Sequence, residues 1–150
     1  MVKGVLCCVA SALLACTNAP PGGQPKETRT EVAAENDLAT SLQIEVGATA
    51  VRFVLHVTNP STQPVTLEFA SAQRYDFVVQ TMAGAEVWRW SADQMFAQML
   101  GEDTLAPGAS RDYSETWQPG ARSGVFVAIG KLTAMKHRAE QHATFEIPKR

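Results

Sequence analysis

Side chains that could perform catalysis or bind a metal are few in this sequence, and their spacing favours neither role. The three histidines are His56, His137 and His142, and the three cysteines all lie within the first 16 residues. A zinc site needs three or four convergent ligands, and no His-x-x-x-His pair occurs. The sequence also lacks the Gly-x-Ser-x-Gly turn of a serine nucleophile. We therefore expect a protein that is not an enzyme and uses no metal or other cofactor.

The chemistry that the sequence does indicate is a modification of Cys16. Lys3 precedes the apolar stretch Val5–Leu14, and the small residue Ala15 precedes the cysteine, which is the organisation of an export signal. The last four residues of this segment, Leu-Leu-Ala-Cys, resemble the lipobox of bacterial lipoprotein signals, in which the cysteine is acylated. We predict a signal peptide over residues 1–15 and a lipid on Cys16. The alternative is an ordinary signal peptide followed by an incidental cysteine.

The predicted anchor sets the expected organisation and location of the chain. Residues 16–41 open with prolines and glycines, continue with charged residues and contain no aromatic side chain, which is typical of a flexible linker. The folded domain is then expected over residues 42–148. The apolar stretch Val5–Ala15 is too short to cross a bilayer, which takes about 20 residues. The predicted lipid anchor places the chain in the cell envelope. Because Thr17 rather than an aspartate follows Cys16, the membrane that we expect to hold the anchor is the outer membrane, where the cell has one.

The overall charge excludes nucleic acid as a partner. The chain has 13 Lys and Arg residues against 15 Asp and Glu residues, and its formal net charge is −2. Proteins that bind nucleic acid usually carry a clear excess of positive charge. The 45% hydrophobic content is that of an ordinary globular protein.

Beyond the linker, hydrophobic and polar residues mostly alternate, which is typical of half-buried β-strands. The alternating or apolar segments, with turn residues between them, are Val51–Thr58, Val65–Phe69, Tyr75–Gln80, Glu86–Trp90, Ala109–Trp117, Gly124–Gly130 and Ala143–Ile147. About seven short strands predict an all-β protein, an immunoglobulin-like β-sandwich.

One segment has a different period and predicts a short helix. Ser91 is a suitable N-cap with Gln94 as its capping-box partner, and Gly101 stands where a helix commonly ends. The apolar residues between them recur at helical spacing on one face: Ala92, Met95, Phe96, Met99 and Leu100. We expect this helix to cover one end of the sheets.

Two tryptophans are two positions apart, so that a strand would direct both to the same face. Trp88 and Trp90 are interpreted mainly as core residues, because large aromatic side chains usually fill the interior of a sandwich. The same interpretation applies to Trp117. The alternative for the pair is a binding face, since tryptophan is enriched at interaction hot spots.

Several motifs resemble the BsuPI family of bacterial intracellular proteinase inhibitors, over about Leu42 to Pro148. The residues that carry the resemblance are Ser71–Phe77 (Ser-Ala-Gln-Arg-Tyr-Asp-Phe), Gly84–Ser91 (Gly-Ala-Glu-Val-Trp-Arg-Trp-Ser), Phe96, Leu105–Gly108, Trp117 and Gly124–Phe126. The resemblance implies a small β-domain that inhibits a serine proteinase by binding it. It assigns no residue to the contact with the proteinase.

Two interpretations of the function follow. In the first, a lipid-anchored envelope protein restrains a proteinase through an exposed loop, and the expected target is a subtilisin-like serine proteinase. In the second, a structural or adaptor lipoprotein uses the sandwich to hold another protein. An inhibitor needs a loop that fits a proteinase cleft, and the two candidates are Asn59–Pro64 and Leu100–Ser110. The candidate contact residues in them are Asn59, Pro60, Ser61, Asp103, Thr104 and Pro107. An adaptor would instead expose a broad apolar patch.

Overall fold

The computed structural model describes residues 28–32 and 38–149, and the regular structure in them is almost entirely β. The strands are β1 (Thr28–Val32), β2 (Ala39–Val46), β3 (Val51–Thr58), β4 (Val65–Phe69), β5 (Tyr75–Thr81), β6 (Glu86–Arg89), β7 (Gly101–Leu105), β8 (Ser110–Trp117), β9 (Gly124–Leu132) and β10 (Ala139–Ile147). A four-residue 3₁₀ helix, Trp90–Asp93, follows β6. In this part of the chain, no helix has the length and apolar character needed to cross a membrane.

The strands form two four-stranded antiparallel sheets that pack face to face. One sheet has the order β1-β2-β3-β8 and the other the order β10-β9-β5-β6, while β4 and β7 form a separate two-stranded sheet. Aromatic rings connect the two large sheets, since Phe53 on β3 contacts Phe77 on β5 and Phe145 on β10. The predicted all-β sandwich is therefore confirmed.

The core forms because alternate residues of each strand face inward. Strand β3 buries Val51, Phe53, Leu55 and Val57, and β10 buries every second residue from Gln141 to Ile147. Trp117 is also buried, as predicted, and Trp88 and Trp90 are half-buried against the same core. The indole of Trp88 stacks on Phe53 and Trp117. Both members of the tryptophan pair thus have a structural role.

The structure contains three strands beyond the seven that the alternation predicted. Strand β2 was missed, although Leu42 and Ile44 alternate with polar residues and are buried. Strand β7 has the sequence Gly-Glu-Asp-Thr-Leu and buries only Leu105 fully, so its hydrophobic pattern is too weak to detect. It forms because the backbone of β4 needs a pairing partner.

The third additional strand, β1, and the start of β2 lie within the segment predicted as a flexible linker. Strand β1 pairs antiparallel with β2, from Thr28 opposite Ile44 to Val32 opposite Thr40. Leu38 is 1% exposed and belongs to the hydrophobic core. The folded domain therefore begins before residue 42, because the backbone of β2 extends to Ala39 and offers its outer edge to β1. The predicted signal peptide and Cys16 lie outside the described residues.

The predicted helix over residues 91–100 is wrong beyond its first turn. Ser91 does not cap it, because the Ser91 hydroxyl and backbone N–H both donate to the carboxylate of Asp76 on β5. The 3₁₀ helix has no side-chain cap and ends at Asp93, and Gln94 is extended, with φ −108° and ψ 149°. The contact with Asp76, which is far away in the sequence, therefore prevents the helical pattern from being realised.

Candidate functional site

The most unusual surface feature is the connection between the 3₁₀ helix and β7, residues 94–100, which we name the exposed segment. It has no regular secondary structure. Met95 is 100% exposed, Met99 63% and Leu100 76%. The described part of the chain exposes six large hydrophobic side chains, so half of them lie in these seven positions. Exposed apolar side chains concentrated in this way often mark a binding surface.

The start of the exposed segment is fixed by the buried carboxylate of Asp76, which is 5% exposed. This carboxylate accepts the Ser91 hydroxyl at 2.8 Å and the Ser91 backbone N–H at 3.2 Å. It also accepts a hydrogen bond from Nη1 of Arg89 at 2.9 Å. Arg89 in turn contacts Glu86, and this hydrogen bond lowers the pKa of the Glu86 carboxyl. Charge-assisted hydrogen bonds are strong, so Ser91 has little freedom to move.

The middle of the exposed segment rests on an aromatic stack. The ring of Phe96 lies 5.6 Å from that of Trp90, and Trp90 stacks on Tyr75 at 4.4 Å. The Tyr75 hydroxyl donates to the Glu115 carboxylate, and burial together with this bond raises the pKa of Tyr75. One residue further on, the carbonyl of Ala97 accepts the backbone N–H of Ala72 at 2.9 Å.

The end of the exposed segment meets the guanidinium of Arg74. A Cβ atom added at Gly101 would lie 2.4 Å from Nη2 of Arg74, so this position requires glycine unless the arginine moves. The guanidinium is held in place by the Ser71 carbonyl at 2.8 Å, by the Asp103 carboxylate at 3.0 Å and by the face of Phe69 at 4.3 Å. A side chain at position 101 would therefore displace the guanidinium from these contacts.

The residues by which the sequence resembles a known family meet at the base of the exposed segment. Arg74, Tyr75 and Asp76 come from the first motif, and Trp90 and Ser91 come from the second. Their contacts support the segment at its start, middle and end. The two motifs thus explain how a short apolar peptide can be held in place and remain exposed. A surface that is ordered before binding loses little conformational entropy when a partner arrives.

The predicted loop Asn59–Pro64 lies beside the turn at residues 106–109, which is the only part of the second predicted loop, Leu100–Ser110, that is a turn between described strands; Asn59 joins the two. Asn59 is 0% exposed. Its Nδ2 donates to the carbonyls of Gln63 and Leu105 at 2.8 and 3.0 Å, and its Oδ1 accepts from the backbone N–H and hydroxyl of Ser61. The backbone N–H of Gly108 donates to the Asn59 carbonyl at 2.9 Å. Asn59 therefore shapes both loops and is not itself accessible to a partner.

The other candidate contact residues divide between strand and turn. Asp103 and Thr104 lie on β7 rather than in a loop, because residues 101–105 pair with β4. The Asp103 side chain is 21% exposed and is engaged by Arg74 and Arg111. Pro60 and Pro107 are exposed in the turns beside Asn59.

The exposed segment was not predicted as a site, because its apolar residues fitted one face of a helix. No local signal in the sequence showed whether that face would be covered by the sheets or exposed to solvent.

The histidines are not brought together in the structure. His56 lies between Asp112, at 2.7 Å from Nδ1, and Gln43, at 3.1 Å from Nε2. His142 contacts Glu140 at 2.7 Å. Among residues 28–32 and 38–149, no group of three or more His, Cys, Asp or Glu side chains is placed to hold a metal ion.

Comparison with protein families gives a match over most of the domain. The family described as "BsuPI: Intracellular proteinase inhibitor" matches residues 38–137. The chain belongs to this family. The resemblance predicted from the motifs is thereby confirmed, and the matched region contains the exposed segment with all of its supporting residues. A comparison with curated proteins found no similar sequence.

Solved structures with similar backbones are distant from this BsuPI domain. The C-terminal domain of wzt has 10% identity and a TM-score of 0.47, with 87% of this chain and 83% of that chain covered. A DUF1425 family member from Shewanella sp. pv-4 has 15% identity, a TM-score of 0.38, and coverage of 85% and 95%. A β-glucosidase from Erythrobacter marinus has 10% identity and a TM-score of 0.41; 81% of this chain matches only 16% of that enzyme. These likenesses carry no argument about function.

Proposed function

We propose that this chain inhibits a proteinase by binding it, and that the exposed segment is the part that enters the proteinase cleft. The family match over residues 38–137 is the observation that carries the proposal. Proteinases bind their substrates as extended peptides, which add a strand to the enzyme and place alternate side chains in pockets. The exposed segment offers a peptide without regular secondary structure, with apolar side chains on a fixed support.

The distribution of exposed apolar residues supports an inhibitor rather than an adaptor. A broad patch would favour the adaptor function. Instead, Met95, Met99 and Leu100 lie on one narrow connection, and the remaining large exposed hydrophobic residues of the described chain are Met82, Val125 and Met135. Met82 follows Thr81, which pairs with Phe126, so Met82 and Val125 adjoin each other at the end of β5 opposite Tyr75. They are therefore separate from the exposed segment, which rests on Tyr75 through Trp90.

The proposal is tested by titrating a serine proteinase with the full chain in a mild detergent and measuring the residual activity on a small chromogenic substrate. We expect a saturable loss of activity at a fixed stoichiometry, because the inhibitor acts by binding. Replacing Met95, Gln98, Met99 and Leu100 with serine should weaken inhibition while the melting temperature stays unchanged. This variant keeps Phe96 and Ala97, which contact the domain.

The matched control for that variant is Met82→Ser, which removes an exposed methionine elsewhere on the surface. It should inhibit as the unaltered chain does. No inhibition by the unaltered chain across a panel of serine proteinases, including subtilisin-like enzymes, would contradict the proposal. An adaptor function would then be the better interpretation of the same fold.

The location that we propose is the cell envelope, with a lipid on Cys16 as the anchor. The support for it is the sequence from Lys3 to Cys16, which has the order of a lipoprotein signal. In cells fed a labelled fatty acid, the unaltered chain should incorporate the label and the Cys16→Ser variant should not. Equal partitioning of the two proteins into detergent would contradict the lipid anchor and leave the inhibitory function untouched.

A further inference from the structure

Within the exposed segment, Met95 differs from its neighbours in exposure and in support. Its side chain is 100% exposed. The residues around it are held: Ser91 by the Asp76 carboxylate, Phe96 by the ring of Trp90, and Ala97 by the backbone of Ala72. Phe96 is half-buried against Trp90, whereas Met95 lies wholly in solvent between the contacts of Ser91 and Phe96.

Met99 and Leu100 are placed less favourably for entering a cleft. Both are less exposed than Met95, at 63% and 76%. Leu100 directly precedes Gly101, which already pairs with Phe69 of β4 and lies against Arg74. If Leu100 entered the primary specificity pocket of a proteinase, the enzyme would also have to fit around the β4–β7 strand pair, which begins at the next residue. On the C-terminal side of Met95, five residues precede β7. The first two, Phe96 and Ala97, contact Trp90 and Ala72 rather than a paired strand.

We propose that Met95 occupies the primary specificity pocket of the target, and that the target is a serine proteinase whose pocket accepts a long, unbranched and uncharged side chain. This inference rests on the proposed function. A pocket built around a carboxylate for lysine or arginine would leave that charge unpaired against Met95, which is strongly unfavourable. A pocket closed for small side chains would not admit the full length of the methionine.

The test compares the inhibition constants of the full-chain protein and its Met95 variants against two enzymes, a subtilisin-like proteinase with an apolar pocket and trypsin. Burial of a methionine side chain contributes enough that Met95→Gly should weaken inhibition of the subtilisin-like enzyme about tenfold to a hundredfold. Met95→Leu should retain most of the inhibition. Met95→Lys should lose inhibition of the subtilisin-like enzyme and gain inhibition of trypsin.

The controls separate this inference from the proposed function and from misfolding. Met82→Gly removes an exposed methionine outside the exposed segment, and it should leave the inhibition constants for both enzymes unchanged. Because Met95 makes no buried contact, every variant should keep the unaltered melting temperature. If the unaltered chain inhibits but Met95→Gly inhibits equally well, the inference about Met95 is wrong while the proposed function stands. A gain of trypsin inhibition by Met99→Lys or Leu100→Lys, and not by Met95→Lys, would also overturn it.

Discussion

Replacing Asp76 with alanine should strongly destabilise the domain, because this buried carboxylate joins β5 to Arg89 and Ser91. Asp76 is 5% exposed, and its carboxylate accepts two hydrogen bonds from Ser91 and one from Arg89. A hydrogen bond to a charged group contributes about 1.5–3 kcal/mol. Arg89 is a third exposed and keeps Glu86 as a partner, so its share is reduced. We expect a loss of about 2–4 kcal/mol in the free energy of unfolding.

The measurement is denaturant and thermal unfolding followed by circular dichroism. For a domain of this size, about 4–6 °C are lost per kcal/mol, which corresponds to roughly 8–24 °C. The control is Asp112→Ala, which removes an exposed strand aspartate bonded to His56 and should cost no more than about 0.5 kcal/mol. Equal effects of the two substitutions would refute the argument that the buried carboxylate organises this region.

The same substitution should also affect binding, because Asp76 fixes the start of the exposed segment. At a temperature where the variant is fully folded, its inhibition constant should still rise. In a double-mutant cycle with Ser91→Ala, the two effects should be strongly non-additive, since both changes remove the same contact. Additive effects would mean that Asp76 and Ser91 act independently.

Three further outcomes are expected. Trp88→Ala should cost about 3 kcal/mol in unfolding free energy, because the indole stacks between Phe53 and Trp117 in the core; unchanged melting would place it outside the core. The stability of the folded domain should fall as the pH rises above about 10, since burial raises the pKa of Tyr75 and of Tyr113 and so favours their protonated hydroxyls in the folded state. In titrations of stability against pH, Tyr75→Phe should weaken this dependence, and Tyr113 should account for the remainder. Peroxide should weaken inhibition by converting the exposed thioether of Met95 to the polar sulfoxide with water as the other product, and Met95→Leu should resist the treatment.

The sequence predicted the sandwich best where a strand buries one face only. In β10, burial alternates with exposure from Glu140 to Ile147, so the period of two in the sequence reports the fold directly, whereas β5 buries four successive residues, Asp76–Val79. Strand β7 could not be predicted in this way. It is held by backbone pairing with β4 and buries a single large side chain, and backbone hydrogen bonds leave no trace in the hydrophobic pattern.

The candidate site was predicted less well, because its form depends on contacts between distant residues. As a local pattern, the sequence fits a helix, with Ser91 as the N-cap, Phe96 on the apolar face and Gly101 at the end. Only Asp76, on a different strand, shows that the Ser91 side chain is already engaged. Asn59 is a similar case, since a polar residue before a proline suggests an exposed turn, whereas its amide is buried and joins two loops. Polar side chains with buried partners are difficult to distinguish from surface residues by sequence alone.

The position of β1 determines how the domain is oriented towards whatever holds its N-terminus. Strand β1 is the outer strand of one sheet, beside β10 in the other, while β6 and the exposed segment that follows it are at the opposite edge of the sandwich. Three strand spacings of about 4.8 Å put roughly 14 Å of protein between these edges. A chain held through the residues that precede β1 would therefore be attached at the edge opposite β6. Deleting β1 would move that attachment point to β2, one strand nearer to β6.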